Sequence, residues 1–585
     1  MILIFFVLQS FASEAQTKAN VILPFDEPWF FWAGKAAPSE WPIQTTPTAK
    51  DARTLVPKEI AESPDRWAYI QKESLFTTEN HWWDGFLAPF SIRNQEQFER
   101  YLPIIKKSQR KRKRKGLLPY SRTELVHEKG GLDSIFFYKD IHIEDPTIYD
   151  VLQIEAKFTD AIDVYVNDSL VLSEKKPLST DKTYPSFYQF DVGRSDRWQY
   201  SWQGLPNRLQ KGKNTISVRI NKSVEAQNPV MYFDLKIKGH KIDWLKKPYL
   251  MNPTKNSIVL GYETTAPTSA EVEVCQTKNS SACTLFKGSK EKTLHQIKIT
   301  DLLPNTSYTY EARYSFQGKT YTYPKQTFRS LPAQTNEFSF YLYGDSRANE
   351  KVHAKLANAI AKDNEKNQAS FVVHTGDIVT HGYIWDLWET KFFQPTENLF
   401  RTIPVIPVLG NHEQNQKLYY DYFDLPHNES WYSFVQDNTE FFALNTNVPF
   451  GPSSEQYKWF EKKLKESSTK WKIVIFHHPP FSCSPVRKPG AMGVRKHLVP
   501  LMEQYNVDLV LLGHDHLYGR SESINGVIYI TSGGGGAGLY GAESDEFNPV
   551  CIKKHHYVYF EVTNHHISWK AVDLAGNVID SFTLQ

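Results

Sequence analysis

The sequence predicts a multidomain protein in which N-terminal β-sandwich regions precede an α/β domain of four layers (α-β-β-α). Three observations predict this. The chain has 585 residues, far more than one hydrophobic core can use. Strand-like alternation fills its middle part, whereas apolar runs alternate with helical patterns from about residue 333 onward. An apolar content of 40% and an aromatic content of 14% are typical of a globular protein.

The first residues resemble a secretory signal peptide. An apolar run, Met1–Leu8, is followed by the small residues Ser13 and Ala15 before an expected cleavage near Gln16. We therefore expect a signal peptide at 1–15 and a secreted or periplasmic protein; the alternative is a buried N-terminal strand. No later segment is apolar enough to be a transmembrane helix. The formal net charge of +3 is small for this length, so no nucleic-acid binding is expected.

The N-terminal region, 16–245, contains one strongly basic run, Lys106–Lys115, in which eight of ten residues are basic. Such a run is either a nuclear signal or polyanion-binding patch, or a solvated loop. We favour the solvated loop, because the run follows an expected signal peptide.

Alternating strands follow from Ile135 to Lys238, with strand and turn signals at Val164–Asp168 and Leu209–Val218. These stretches resemble the galactose-binding-like jelly roll, which would occupy about 131–240. Such a domain is either a glycan-binding module or a spacer, and we favour the spacer.

The region 246–332 contains the stretch Leu302–Tyr308, L-L-P-N-T-S-Y. It resembles the tyrosine corner of fibronectin type III domains, in which the tyrosine hydrogen-bonds to the backbone. The cysteines are four, and in an exported protein Cys275 with Cys283 and Cys483 with Cys551 are possible disulfides. Because sequence gives no distances, unpaired cysteines remain the alternative.

The last domain, 333–585, contains five apolar runs that each end in a residue able to bind a metal. The runs are Phe338–Tyr343, Ser370–His374, Ile403–Leu409, Trp471–Phe476 and Val507–Leu512, and the residues that follow them are Asp345, Asp377, Asn411, His477 and the pair His514 and His516. Ligands of α/β sheets bind outside the carboxyl ends of the strands. We therefore expect these side chains to converge.

Between the runs, the sequence predicts helices. Val352, Leu356, Ala359 and Ile360 fall on one helical face, and Ser453–Gln456 resembles a capping box. Alternating strands and helices predict a largely parallel sheet, and the strand patterns after Arg520 predict a second sheet packed against it. The glycine run at 533–536 lacks the lysine of a phosphate loop, so we expect a tight turn near the metal rim.

Carboxylate, amide and imidazole ligands suit borderline to hard metal ions. One central carboxylate can bridge two ions about 4 Å apart, the two-metal arrangement for displacement at phosphorus. His514 and His516 are two residues apart and would face the same side of an extended segment.

The five motifs resemble those of the calcineurin-like metallophosphoesterases, and within them the purple acid phosphatases, which carry a fibronectin-like domain before the catalytic one. The last motif, G-H-D-H-L-Y-G-R at 513–520, matches the pattern of that subgroup. The resemblance implies that Asp377 bridges both ions. It assigns Asp345 and His516 to the first ion and Asn411, His477 and His514 to the second. His412 would hold a phosphate oxygen or protonate the leaving group, and His478 is not expected to be a ligand.

Two departures from the family pattern affect the first ion. Thr380 stands where purple members have a tyrosinate ligand, and Arg347 stands where other relatives have a histidine. His381 or water would have to complete the coordination. Arg347 is expected either to clamp a phosphate oxygen or to form a structural ion pair.

The sequence thus predicts an exported phosphoesterase with two metal ions, Fe, Zn or Mn, that hydrolyses phosphate monoesters by attack of metal-bound hydroxide. The expected catalytic residues are His412, Asp377 and Arg347, and Asn411, His412 and Arg347 are expected to contact the substrate. Two alternatives remain: a phosphodiesterase acting on nucleotide or lipid-headgroup diesters, and a surface glycan- or polymer-binding protein with an inactive phosphatase domain.

Overall fold

The structure is a computed structural model that describes residues 20–23, 30–34, 68–69, 123–126, 134–158, 161–175, 199–221, 230–288, 290–333 and 337–585. The expected signal peptide and the basic run Lys106–Lys115 lie outside these residues. Within the described part, no helix combines the length and the apolar character needed to cross a membrane. The described residues before Trp244 and those from Trp244 onward form two compact units.

The first unit is built of antiparallel strands. Its described strands are β1 (Asn20–Leu23), β2 (Phe30–Gly34), β3 (Ala68–Tyr69), β4 (Thr123–Val126), β5 (Ser134–Ile143), β6 (Val151–Phe158), β7 (Ala161–Val166), β8 (Ser169–Lys175), β9 (Gln199–Pro206), β10 (Gly212–Asn221) and β11 (Val230–His240), with a 3-10 turn at Pro146–Ile148. One sheet has the order β1-β11-β6-β9, with β4 also on β11, and the other has the order β3-β2-β5-β10-β7-β8.

The two sheets of the first unit share one buried core. Ile154 of β6 and Ile237 of β11 from one sheet pack in the same cluster as Val164 of β7 and Val218 of β10 from the other. The apolar side chains of these four strands thus pack into one cluster, as their period-two alternation allows. The strands predicted at Val164 and Val218 are confirmed as β7 and β10, whereas the resemblance to a galactose-binding-like domain stays a prediction.

The second unit contains two further sheets and seven described α-helices. Its strands are β12 (Trp244–Met251), β13 (Ile258–Gln276), β14 (Asn279–Lys287), β15 (Lys292–Ile299), β16 (Ser307–Phe316), β17 (Lys319–Thr322), β18 (Gln326–Arg329), β19 (Glu337–Tyr343), β20 (Phe371–His374), β21 (Val405–Pro407), β22 (Tyr432–Gln436), β23 (Thr439–Ala443), β24 (Trp471–Ile475), β25 (Leu509–Leu512), β26 (Tyr518–Arg520), β27 (Ile528–Ser532), β28 (Val550–Ile552), β29 (His556–Thr563), β30 (Ile567–Asp573) and β31 (Val578–Leu584). Its helices are α1 (Glu350–Asn367), α2 (Trp385–Trp388), α3 (Gln394–Phe400), α4 (Lys417–Tyr422), α5 (Glu455–Glu466), α6 (Met492–His497) and α7 (Val499–Gln504), and a π-helical turn (Glu389–Phe393) joins α2 to α3.

The larger sheet of this unit runs from the predicted 246–332 region into the last domain. Its main order is β17-β16-β13-β12-β21-β20-β19-β29-β30-β31. Strands β19, β20 and β21 are parallel, and β12 joins them through Met251 paired with Val405. The predicted domain boundary near residue 332 stays a prediction, because the residues from Trp244 onward form one compact unit.

The smaller sheet has the order β22-β23-β24-β25-β27-β26-β28. Strands β23, β24, β25 and β27 are parallel. The five predicted motif strands are therefore divided between two sheets, three in the larger and two in the smaller. The expectation that the second sheet begins only after Arg520 is wrong, and β29–β31 instead extend the larger sheet beside β19. Local periodicity identifies a strand but not its partner, because pairing depends on contacts distant in sequence.

The two sheets meet through aromatic side chains. Phe441 of β23 lies 5.5 Å, centroid to centroid, from both Phe340 of β19 and Phe371 of β20. On the other side of β19, the Tyr341 hydroxyl donates to Asp363 of α1 at 3.1 Å. Helix α5 contacts the smaller sheet in the same way, with Phe460 5.8 Å from Phe442. Helix α1 therefore contacts the larger sheet and helix α5 the smaller one, and the two sheets contact each other through these phenylalanines. The four-layer arrangement stays a prediction.

Two predicted helices form, but with shifted details. In α1 the buried residues are His353, Leu356, Ala357 and Ile360, rather than the predicted stripe with Val352 and Ala359. The reason is that the His353 ring bonds to the Tyr343 hydroxyl at 3.0 Å, a polar contact that hydrophobic periodicity does not reveal.

Helix α5 is capped one residue later than predicted. Ser454, not Ser453, is the N-cap and accepts from Tyr457 N–H. Gln456 does not close a capping box, because its amide oxygen accepts from Asn445 N–H at 2.7 Å.

The tyrosine predicted to bond to the backbone does so. Tyr308 is 5% exposed, and its hydroxyl accepts from Leu303 N–H at 2.8 Å. This bond closes the turn before β16. It does not by itself identify a fibronectin type III domain, which stays a prediction.

We expect Tyr308→Phe to lower the free energy of unfolding of this unit by about 1 kcal/mol, because the turn loses one hydrogen bond without losing the ring. Urea denaturation of the full chain measures the change. Tyr321→Phe is the control, since the Tyr321 ring stacks on Tyr314 at 4.9 Å in the same sheet and remains after the change. Equal midpoints for the Tyr308 variant and wild type would contradict the role of this bond.

Candidate metal centre

Three of the predicted ligand residues have left-handed backbone conformations. The φ angles of Asp345, Asp377 and His514 are 59°, 55° and 70°. Such values are uncommon outside glycine, are tolerated best by Asp, Asn and His, and cluster at functional sites. They turn the chain sharply at the strand ends. The expected extended segment at His514 is therefore wrong, although both histidines of this motif still reach the centre.

A first group of potential ligands consists of Asp345, Asp377 and His516, whose ligand atoms all lie within 4.8 Å of one another. His516 Nε2 is 3.5 Å from Asp345 Oδ1. The other ring nitrogen of His516 lies 2.7 Å from the Gly538 carbonyl oxygen, which fixes the ring. This group is the one that the sequence assigns to the first ion together with the bridging aspartate.

A second group contains His477, His478 and His514, again within 4.8 Å. His514 Nδ1 lies 3.1 Å from His477 Nε2, and Asn411 Oδ1 lies 3.2 Å from the same nitrogen. That nitrogen is also 3.3 Å from Asp377 Oδ1. The structure thus brings all six predicted ligands together, with Asp377 in contact with both groups.

His478 was not expected to be a ligand, yet its ring lies with the second group. Its Nδ1 is 2.7 Å from Thr446 Oγ1, and its ring centroid is 4.5 Å from that of His514. The bond to Thr446 gives His478 a partner on the side of the protein, so its exclusion from the metal ligands stays a prediction.

These residues fit bound cations. Asp345 is fully buried, and within the described part of the chain its Oδ1 has no hydrogen-bond partner. Burial raises the pKa of Asp345 to about 8, so its ionised form needs a nearby positive charge. Nδ1 of His477 lies 2.8 Å from the Thr375 carbonyl oxygen, so Nε2 is the nitrogen that faces the centre, as in His516.

The protonation states also fit metal binding. Burial lowers the pKa of His514, and it lowers the pKa of His516 to about 4, so both rings are neutral at pH 7 and able to coordinate. Burial opposes ionisation of Asp377, but the charge of His477 outweighs it and holds the pKa of this carboxyl well below its usual range. Against burial, Asp377 in turn raises the pKa of His477 to about 9. A metal ion would replace the proton on His477.

One carboxylate holds the loop that carries Asp377. Glu413 Oε2 accepts from Asp377 N–H at 2.9 Å and Gly410 N–H at 2.7 Å. Its Oε1 accepts from Ile378 N–H at 2.7 Å and Val379 N–H at 3.1 Å. Glu413 is fully buried, and its four bonds join the second and third motifs. The sequence places Glu413 in the third motif but does not reveal this role. The feature that could have indicated it is the carboxylate directly after Gly-Asn-His.

Glycines permit the close packing of these loops. A Cβ on Gly410 would lie 2.2 Å from Asp377 N, so a side chain is excluded there. The glycine run packs against the first motif, where Gly535 N–H donates to the Gly344 carbonyl and Ala537 N–H to that of Asp345, both at 2.8 Å. The glycine run therefore lies beside the candidate metal centre as expected, but as a bend rather than a hydrogen-bonded tight turn.

The predicted substrate-contacting residues lie at the same place. Arg347 Nε donates to Asp377 Oδ2 at 3.2 Å, and the Arg347 side chain is 16% exposed. His412 Nδ1 is 2.8 Å from the Thr380 carbonyl, and its Nε2 is 3.9 Å from Asp377 Oδ2. The Thr380 hydroxyl donates to the Arg347 carbonyl at 3.0 Å. Neither ligand group found among the described residues includes His381.

Two residues of the centre were missed by sequence reasoning. Arg487 contacts the His514 ring, and Tyr540 stacks on the His516 ring at 4.1 Å. Both lie in loops outside the five motifs, where no strand ending or ligand spacing marks them. Only the folding of these loops brings them to the centre.

Comparison with known proteins agrees with this geometry. Residues 311–518 match the family model of the calcineurin-like phosphoesterases. The chain is 26% identical over 287 residues to an uncharacterised protein of Mycobacterium tuberculosis, covering 41% of this chain and 53% of that protein. It is 27% identical over 303 residues to purple acid phosphatase 13 of Arabidopsis thaliana, covering 42% of this chain and 54% of that one. The chain spans about half the length of these curated relatives.

A solved structure places the fold more narrowly. The purple acid phosphatase isolated from yellow lupin (Lupinus luteus) seeds has a TM-score of 0.53 and 17% identity to this chain. The match covers 77% of this chain and 92% of the lupin protein. The chain therefore has a fold similar to that of this purple acid phosphatase. The two groups of potential ligands are compatible with two metal ions.

We expect Glu413→Gln to weaken metal binding about 10- to 100-fold, since one oxygen that accepts two backbone N–H bonds becomes an NH₂ group. Competition with a metal-binding dye measures the affinity. Glu466→Gln is the control, because Glu466 is exposed on α5 and its ion pair with Lys462 is long, at 3.8 Å. Wild-type affinity in the Glu413 variant would show that its four bonds do not position Asp377.

Proposed function

We propose that this chain is an exported, metal-dependent phosphoric ester hydrolase that acts on phosphate monoesters. The observation that carries the proposal is the position of Asp377. Its carboxylate belongs to the group with Asp345 and His516 and lies 3.3 Å from His477 of the second group. A carboxylate in contact with two sets of ligands is what a pair of bridged ions requires.

The ligand set suits Fe, Zn or Mn. When bound, the metal pair polarises the phosphoryl oxygens and lowers the pKa of a water, so that water can act as the nucleophile at neutral pH. Asp345, Asp377 and His516 would hold one ion, and Asp377, Asn411, His477 and His514 the other. Asn411 is the most exposed of these ligands, so its side chain is also available to the substrate.

Arg347 and His412 are the residues that would bind and orient the phosphoryl group. The guanidinium of Arg347 is partly exposed beside Asp377, and its planar donors match phosphate oxygens. Because Nδ1 of His412 is fixed on the Thr380 carbonyl, Nε2 faces the centre. When protonated, this nitrogen can donate to a phosphate oxygen or to the leaving group.

A second candidate is favoured by one observation, the side chain at position 380. Thr380 uses its hydroxyl on the Arg347 carbonyl, so the first group has no protein ligand at the position of the family tyrosine. A weaker first site would suit a phosphodiesterase acting on nucleotide or lipid-headgroup diesters. In the extreme case it would leave a glycan- or polymer-binding protein with an inactive phosphatase domain.

Export is supported by the cysteines. Cys275 pairs with Cys283 and Cys483 with Cys551, so all four cysteines form disulfides, as expected in an oxidising compartment. This supports a secreted or periplasmic location. Glycan binding by the first unit belongs to the second candidate function, the binding protein with an inactive phosphatase domain.

Asp377→Asn should lower kcat/KM for a phosphate monoester about a thousandfold or more, because a neutral amide cannot hold two cations at once. Steady-state hydrolysis of 4-nitrophenyl phosphate measures it. Asp301→Asn is the matched control, since Asp301 is exposed and has a similar left-handed backbone with φ 59°. Undiminished hydrolysis by the Asp377 variant would contradict the proposed role of Asp377 as the carboxylate shared by both metal ions.

The wild-type chain, reconstituted with Mn, Zn or Fe in turn, should hold two metal equivalents by mass spectrometry and hydrolyse monoesters faster than diesters. A chelator should remove both the metals and the activity. Activity confined to diesters would select the phosphodiesterase, and an absence of bound metal after reconstitution would select the binding protein.

A further inference from the structure

Arg487 lies at the edge of the metal centre, in the loop between β24 and α6. Its guanidinium contacts Nε2 of His514, and its Nη2 donates to the Tyr540 hydroxyl at 3.1 Å. Its Nε is 3.6 Å from Asp515 Oδ1. The Arg487 side chain is 32% exposed, so its charged end is accessible from solvent.

Tyr540 connects Arg487 to the first ligand group. Its ring is stacked on that of His516, with an interplanar angle of 17°, and its N–H donates to the His516 carbonyl at 3.0 Å. The centre of the Arg487 guanidinium is 5.1 Å from the Tyr540 ring centroid. Arg487 and Tyr540 therefore contact one histidine from each ligand group.

The two loops that carry these residues are fixed to each other. Glu543 N–H donates to the Cys483 carbonyl at 3.0 Å, and Lys488 pairs with Asp545 at 3.1 Å. The disulfide between Cys483 and Cys551 adds a covalent connection in this region. A binding group held in this way loses little conformational entropy when a ligand arrives.

The charge of Arg487 needs an explanation. A guanidinium stays protonated, and here it contacts His514, which is placed to hold a cation. Its nearby carboxylate, Asp515, also accepts from the Ser482 hydroxyl. With cations bound, the repulsion increases, and an anion in contact with Arg487 would offset it.

Arg347 is already positioned for the phosphoryl group beside Asp377, whereas Arg487 contacts different ligand residues. We propose that Arg487 and Tyr540 form a second anion-binding site beside the metal centre. The preferred substrates are then phosphate monoesters that carry a second anionic group, either a carboxylate or a second phosphate. This inference rests on the proposed phosphoesterase function and names its substrate class.

The test compares substrates with and without the second anion. Glycerol 3-phosphate lacks it, 3-phosphoglycerate supplies a carboxylate, and propane-1,3-diol bisphosphate supplies a second phosphate; in all three the leaving group is an alkoxide of similar reactivity. The wild-type, metal-loaded chain should have a higher kcat/KM for at least one of the two substrates that carry a second anionic group than for glycerol 3-phosphate. Arg487→Gln should lower that ratio about tenfold or more, mainly through KM, as expected for the loss of a charged hydrogen bond.

Two further variants keep the test decisive. Lys496→Gln is the control: it removes a positive charge from an exposed position on the neighbouring helix α6 and should leave the ratio at its wild-type value. Tyr540→Phe keeps the ring on His516 but removes the hydroxyl, and should lower the ratio about two- to fivefold. The Tyr540 variant decides the matter if the Arg487 variant does not fold.

The outcomes separate the two claims. If the wild type hydrolyses all three substrates and neither variant changes the ratio, the second anion site is wrong and the phosphoesterase function stands. If the metal-loaded wild type hydrolyses neither these three substrates nor any other phosphate ester, the proposed phosphoesterase function is wrong. This inference is then wrong as well. A gain confined to one doubly anionic substrate identifies the second anion as carboxylate or phosphate.

Discussion

The centre depends on one buried carboxylate that binds backbone rather than metal. Glu413 accepts four N–H groups from the second and third motifs and so fixes the turn that presents Asp377. Burial and the charge of Asp377 raise the pKa of Glu413 to about 7, so this arrangement is costly. The four bonds offset that cost, since backbone donors buried without an acceptor would be worse. The position of Asp377 between the two ligand groups follows from this bond network.

The second constraint is the meeting of two sheets. Parallel strands β19, β20 and β21 belong to one sheet and β24 and β25 to the other, with Phe441 packed against Phe340 and Phe371 between them. Because both sets of strands end at the same edge, loops from the two sheets meet there. Asp345 and His514 follow strands of different sheets, yet Asp345 Oδ2 accepts from His514 N–H at 2.8 Å. The convergence of the two ligand groups is thus a property of the interface between the sheets.

The charged side chains at the centre are of two kinds. Asp345 and Asp377 are buried and need cations, whereas Arg347 and Arg487 are partly exposed and are cations themselves. Metal ions and guanidinium groups are both positively charged and repel each other, so a carboxylate or a bound anion between them is needed to offset the repulsion. A centre of this composition favours anionic ligands, in agreement with phosphate ester chemistry.

The ligand types and the strand endings that carry them could be predicted from the sequence, because each is encoded in a few consecutive residues. Leu356 and Ile360 of α1 and the bond of Tyr308 were predictable for the same reason. Four features could not be predicted: the division of the strands between two sheets, the grouping of ligands around Asp377, the role of Glu413 and the approach of Arg487 to His514. These features depend on contacts between residues far apart in the chain, and local periodicity carries no information about such distances.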